Sequence, residues 1–394
     1  MGEDDRSAEE HVMIAQVLPW MVAAKKYVAG EIELLPIANL ETDHDELDDA
    51  ELAAVRNVMS SYRTLQGAPV PGCTLVQFSG RSALEDLTDE ELDTARTMVE
   101  LACFASLSRR AFFGSLDYAN ATRFTFYQQR LGSGGFVTLA PRVREGRALH
   151  AQSTTGLAIS EPIQVAVKGR IRIDEPLWIA LCDLRSGFPE PYRRWHDAIL
   201  GFNAANTDSD DIGPEAEWVL MAGSFQRLLE AQSKADDLAD AFDRALTPAE
   251  NVACAQSARR PNCKGDDSRN LRWAWMHEFY RLRNEYAHGK RNSAQNQAWN
   301  QQEHLILAAI AFPLVAKVKL QELGYYTLTD SDSDRIDSFE CLADQEDFFA
   351  EPPGMKGTGD SIYSRLLSEA SDCRARERMI AALDSNGGSG SNEG

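Results

Sequence analysis

Arg283, Asn284 and His288 are the residues of this chain whose types and spacing suit a reaction. A guanidinium is permanently charged and grips phosphate oxygens through two parallel hydrogen bonds. An imidazole titrates near neutrality and can take or give a proton. Asn284 lies four residues before His288, so on a continuing helix the two share a face, with Arg283 beside them. A phosphate grip next to a proton carrier is what phosphodiester cleavage needs. The plainer alternative is a helix end capped by Arg, Asn and His, since that end favours cations.

The element that must position these residues is a helix. Leu271, Trp275, Phe279, Leu282 and Tyr286 step by four, four, three and four, which is one helical stripe, and Gly289 supplies a stop. The helix is expected over about 268–288. Tyr286 continues the stripe and reads as core. His277 reads as a partly buried structural histidine. Trp273, Trp275 and Trp299 have the faces to stack bases, but packing explains most of them.

The run Phe279-Tyr280-Arg281-Leu282-Arg283-Asn284-Glu285-Tyr286-Ala287-His288-Gly289 resembles the Arg-Asn-x-x-x-His signature of the HEPN superfamily of ribonucleases. Its aromatic lead-in and trailing glycine resemble the ApeA-like branch. The resemblance covers roughly 191–323 and includes a helix around 222–230. Many members carry an acidic residue where this chain has Gln226. What the resemblance implies is a metal-independent endoribonuclease that needs no cofactor and cuts single-stranded or looped RNA. Arg283 and His288 would be its catalytic pair and Asn284 the supporting polar residue. It also implies a homodimer in which the pairs of two protomers meet, and a setting in antiphage defence or a toxin-like role. The N-terminal region would then silence the nuclease or recognise a phage or host trigger. The rival reading is a non-catalytic HEPN-like helical module for assembly or ligand sensing. Members without the Arg–His pair exist, and this chain has the pair.

The chain has 394 residues, 43% of them hydrophobic, enough for two or three domains with substantial cores. A net charge of -21 argues against a whole-surface nucleic-acid binder. One window runs the other way. From Arg259 to Arg291 there are nine basic residues against four acidic ones, a local net of +5 that leaves -26 elsewhere. Arg259, Arg260, Lys264, Lys290 and Arg291 are therefore the expected contacts to an RNA backbone. The seven cysteines include no Cys-x-x-Cys pair and read as reduced thiols. Cys254 and Cys263 have the spacing to bridge a local loop or join a metal site, but neither is the expected reading. No metal-ligand set stands near the motif. The absence of a signal sequence or long apolar run points to a cytoplasmic protein without a membrane anchor.

The expected fold class is α+β. A mixed α+β regulatory or sensing region spans 1–175, with strands near 11–18, 27–37, 73–78, 123–130, 136–139 and 163–173. Its helices fall at 43–61 and 88–110, the second opened by a capping box from Thr88 to Glu91. A HEPN-like all-α bundle spans 176–325, after a break at Pro189–Pro191. Its helices are expected at 192–205, from Pro214 onward, at 268–288 and at 297–323, the last kinked or split by Pro313. Residues 326–394 form an acidic extension with a helix near 361–383 and a Gly/Ser-rich disordered tail.

Overall fold

The structure, a computed structural model, describes residues 13–42, 44–110, 112, 119–132, 135–140, 149–151, 158–161, 169–287, 297–348 and 361–387. The fold is α+β, and the chain divides into two units. The first holds residues 1–109 and 119–182; the second holds 110–118 and 183–394.

The first unit is built on an antiparallel sheet. Its strands are β1 (Met13–Leu18), β2 (Tyr27–Ala29), β3 (Ile32–Ile37), β5 (Cys73–Phe78), β6 (Tyr127–Gly132), β7 (Gly135–Ala140) and β8 (Leu149–Ala151). They lie in the order β2-β3-β5-β1-β6-β7-β8, while β4 (Tyr62–Arg63) and β9 (Ile159–Ser160) pair separately in parallel. Gly30, at φ +57°, makes the tight turn from β2 to β3. Strand alternation decides what each face carries. Ala15, Val17, Leu35, Ile37, Cys73 and Leu75 form one core with Leu52, Val55 and Met59 of α1 (Asp49–Met59). The alternate residues Leu34 and Val76 are buried on the other face. The helix α2 (Asp89–Leu107) starts where its capping box predicts, with Thr88 and Glu91 closing it. Most of the expected 163–173 strand lies outside the described residues; Ile171 makes a single parallel bridge to Ala23.

α3 (Glu175–Gly187) carries the chain into the second unit, where only helices and short 3-10 turns are described. They are α4 (Pro189–Ala204), α5 (Pro214–Leu228), α6 (Ala235–Ala245), α7 (Leu271–Ala287), α8 (Gln301–Glu322), α9 (Asp330–Ala343) and α10 (Ile362–Gly387). Pro189 and Pro191 sit in the first turn of α4, where a missing amide costs nothing, so they open a helix rather than break one. α4 and α5 approach closely at Gly201, where a Cβ would sit 2.5 Å from Ser224 Oγ. The rings of Phe225, Phe242, Trp275, Phe279, Phe312 and Phe339 interlock, mostly edge to face, and tie α5, α6, α7, α8 and α9 into one core.

Three expectations need correction. α6 was not foreseen in the sequence, although Leu238, Ala239, Phe242 and Ala245 form its buried stripe. α8 runs unbroken through Pro313. The stretch after 326 is no appendage: α9 packs on α7 and α8, and α10 runs along α9. The bundle therefore exceeds four helices. No described helix is long and apolar enough to cross a membrane.

Candidate functional site

α7 is fixed from two sides near its C-terminal end. From α5, the Trp218 indole donates to the Phe279 carbonyl at 2.9 Å and stacks on the Phe279 ring. The same indole lies 5.2 Å from the Tyr286 ring, one turn beyond Leu282. On another face, the buried Glu278 carboxylate accepts from the backbone amides of Ala298 and Trp299 and from His304 Nε2 at 3.1 Å. Chain re-entering at 297–299 is thus tied back to the middle of α7. Burial pushes the His304 imidazole down in pKa while Glu278 opposes, and its Nδ1 has no partner. Nothing in the sequence pattern separated this histidine from the apolar stripe of α8.

Arg283 and Asn284 come together on the last turns of α7. Arg283 Nη1 donates to Asn284 Oδ1 at 2.9 Å, and the guanidinium lies 5.5 Å from the centre of the Tyr280 ring. Arg283 Nε is buried without a hydrogen-bond partner. Tyr280 is held in turn by Gln226, whose Oε1 accepts from the phenol at 3.1 Å and whose Nε2 donates to Ser233. Sequence reasoning passed over Tyr280, one turn before Arg283, and had only the odd amide at Gln226 as a clue. His288, Lys290 and Arg291 lie outside the described residues.

The basic window is largely neutralised. Arg259 is 10% exposed and grips Glu303 with two hydrogen bonds at 2.7 and 3.0 Å. It also donates to the carbonyls of Gln345 and Ala298. Its guanidinium is therefore engaged by acceptors of the protein itself. Lys264 pairs with Asp236 at 2.7 Å and stays partly exposed. Arg269 meets Asp266, Arg272 meets Asp243 and Glu340, and Arg281 meets Glu285. Among the described residues of the window, only Arg260 and Arg283 lack a carboxylate partner. Arg260 is exposed and Arg283 is half-buried.

His277 is buried, more fully than the partial burial expected of it. It stacks on Trp273, whose ring Arg269 also covers at 3.8 Å, and its Nε2 lies 3.3 Å from Asp236. Burial pushes the imidazole down to about 4; Lys264 adds to the shift and Asp236 opposes it. Cys254 and Cys263 form a disulfide within the loop before α7, which corrects the expectation of reduced thiols at these two positions. Among the described residues no group of three or more His, Cys, Asp or Glu side chains is placed to hold a metal ion. The chain matches no protein-family model, no curated protein and no solved structure.

Proposed function

We propose that the helical unit is a metal-independent endoribonuclease of the HEPN type, acting through Arg283, Asn284 and His288. The observation that carries this reading is Arg283. It is a half-buried guanidinium with no carboxylate partner among the described residues, in a chain of net charge -21 whose described neighbouring cations are nearly all paired. Withdrawing a charge from water without a counter-ion is costly, so such a group favours an anion beside it. Asn284 occupies one of its nitrogens and sets the plane of the fork, leaving other donors for phosphate oxygens.

In this mechanism Arg283 holds the scissile phosphate as charge builds on its oxygens. His288, five residues further along the chain, moves the proton of the 2′-hydroxyl or of the leaving 5′-oxygen. Asn284 orients Arg283, the imidazole or both. The nuclease works as a homodimer with the two Arg283–His288 pairs facing one another, so that each site is completed by the other copy.

The test is cleavage of single-stranded RNA by the full chain. His288→Ala should lower the rate about a hundred- to ten-thousand-fold, and Arg283→Ala at least as much. Arg283→Lys should restore little, because a point charge lacks the planar fork. Activity should survive EDTA and leave 2′,3′-cyclic phosphate and 5′-hydroxyl ends. Ends with 5′-phosphates, or wild type and His288→Ala equally inert, would overturn the reading.

A further inference from the structure

A cavity of about 440 Å³ lies in the helical unit, between the end of α4, the first half of α5 and the first turns of α8. That volume suits a small organic molecule. Met221, Leu305, Ile306 and Ala309 form its floor. Leu305 and Ile306 are only partly buried while His304 and Leu307 on either side are buried. Two large aliphatic side chains thus face one partly open space.

The polar groups gather at one end. Arg110 is 5% exposed, donates to Asn206 Oδ1 and lies over the Phe112 ring. Asn206 is buried and donates to the Phe202 carbonyl at 2.8 Å. Asp208 and Glu217 line the same end. Among the described lining residues, one guanidinium and two carboxylates stand beside an apolar lining.

We propose that this cavity binds a small organic cation, an ammonium or amidinium head on an apolar body, with the head between Asp208 and Glu217 and the body on the Met221–Leu305–Ile306 floor. The head's donors then meet carboxylate acceptors. An anion of the same shape would be repelled by two carboxylates, and Arg110 already has Asn206 and those carboxylates around it. The electrostatics of Glu217 agree. Burial, then Asp208, push its carboxyl up to about 6 while Arg110 opposes. A bound cation would draw that value back down, so protons and ligand compete for Glu217. The site is independent of the ribonuclease reading.

Benzylammonium and phenylacetate have matched shapes and opposite charges, and each can be titrated into the full chain by calorimetry. Benzylammonium should bind saturably with a Kd on the order of a millimolar at about pH 8, the range open to a fragment of this size. At about pH 5, with Glu217 protonated, binding should weaken about tenfold. Glu217→Gln should weaken it similarly at the higher pH and remove the pH dependence. Gln302→Lys adds a charge at an exposed rim position, where folding is not at stake, and should also weaken it. Phenylacetate should not bind. The proposal fails if phenylacetate binds as well as benzylammonium. It fails equally if neither substitution changes affinity, or if the folded chain shows no saturable benzylammonium binding.

Discussion

His277 and Arg283 stand six positions apart on α7, and their surroundings give them opposite tasks. His277 is enclosed and held neutral, its pKa lowered from 6.5 to about 4. Between those values the unfolded chain binds a proton that the folded chain refuses, so acid favours unfolding. The stability from this residue is complete above 6.5 and is lost as pH falls through about 4. His277→Gln should therefore flatten the pH dependence of the urea midpoint across that window relative to wild type. Parallel slopes in the two proteins would show that His277 does not titrate as argued. At this scale the sequence suggested a partly buried His277, which the fold buries fully, and the Arg-Asn pair stood out only by residue type. It did not reveal that Arg259 and Arg272 are consumed by Glu303 and Glu340, because those carboxylates lie 44 and 68 residues away along the chain. Local charge counts contain no information about such partners.

The elements were legible where periodicity or a cap marked them, as at β5, α2, α7 and α8. They were less so where acidic residues hid the apolar positions, as at α6 and α9. The loop from α6 to α7 was the least legible. It reads as polar filler, yet it docks along α9: Ala249 and Val252 donate their amides to Asp337 and Glu340, and Ala258 donates to Asp344. The Cys254–Cys263 disulfide closes this loop across nine residues of sequence, with the Cα atoms 6.0 Å apart. Spacing alone could not choose between that bridge and free thiols, since the choice depends on how the loop folds back. A crosslink of this span restricts the unfolded chain and should contribute about 2.5 kcal/mol. Reduction by dithiothreitol should lower the unfolding midpoint accordingly. Cys254→Ser/Cys263→Ser should start at the reduced value and ignore the reductant. A midpoint indifferent to both treatments would mean that the docking contacts alone fix the loop.

For the whole molecule the deciding quantity is where the positive charge ends up. Read along the sequence, the chain carries -21 with one window of +5. In the fold, Glu303, Asp236, Asp243 and Glu340, all from outside that window, enter it and cancel most of it. Among the described residues Arg260 and Arg283 remain; Lys290 and Arg291 lie outside them. Binding of single-stranded RNA should therefore depend on salt less steeply than nine basic residues would suggest. With about -0.7 per neutralised phosphate, two to four contacts give a log–log slope of about -1.4 to -2.8 per protomer. Anisotropy of a labelled single strand across a salt series measures it. Arg260→Ala should flatten the slope by about 0.7. Arg259→Ala should leave the slope unchanged but cost about 3 kcal/mol of stability, because it strands the buried Glu303 carboxylate. That contrast separates an arginine that meets RNA from one that holds the fold. A slope near -6 would mean that the internal ion pairs open to bind RNA, and a flat line would remove the phosphate backbone from the account of this surface.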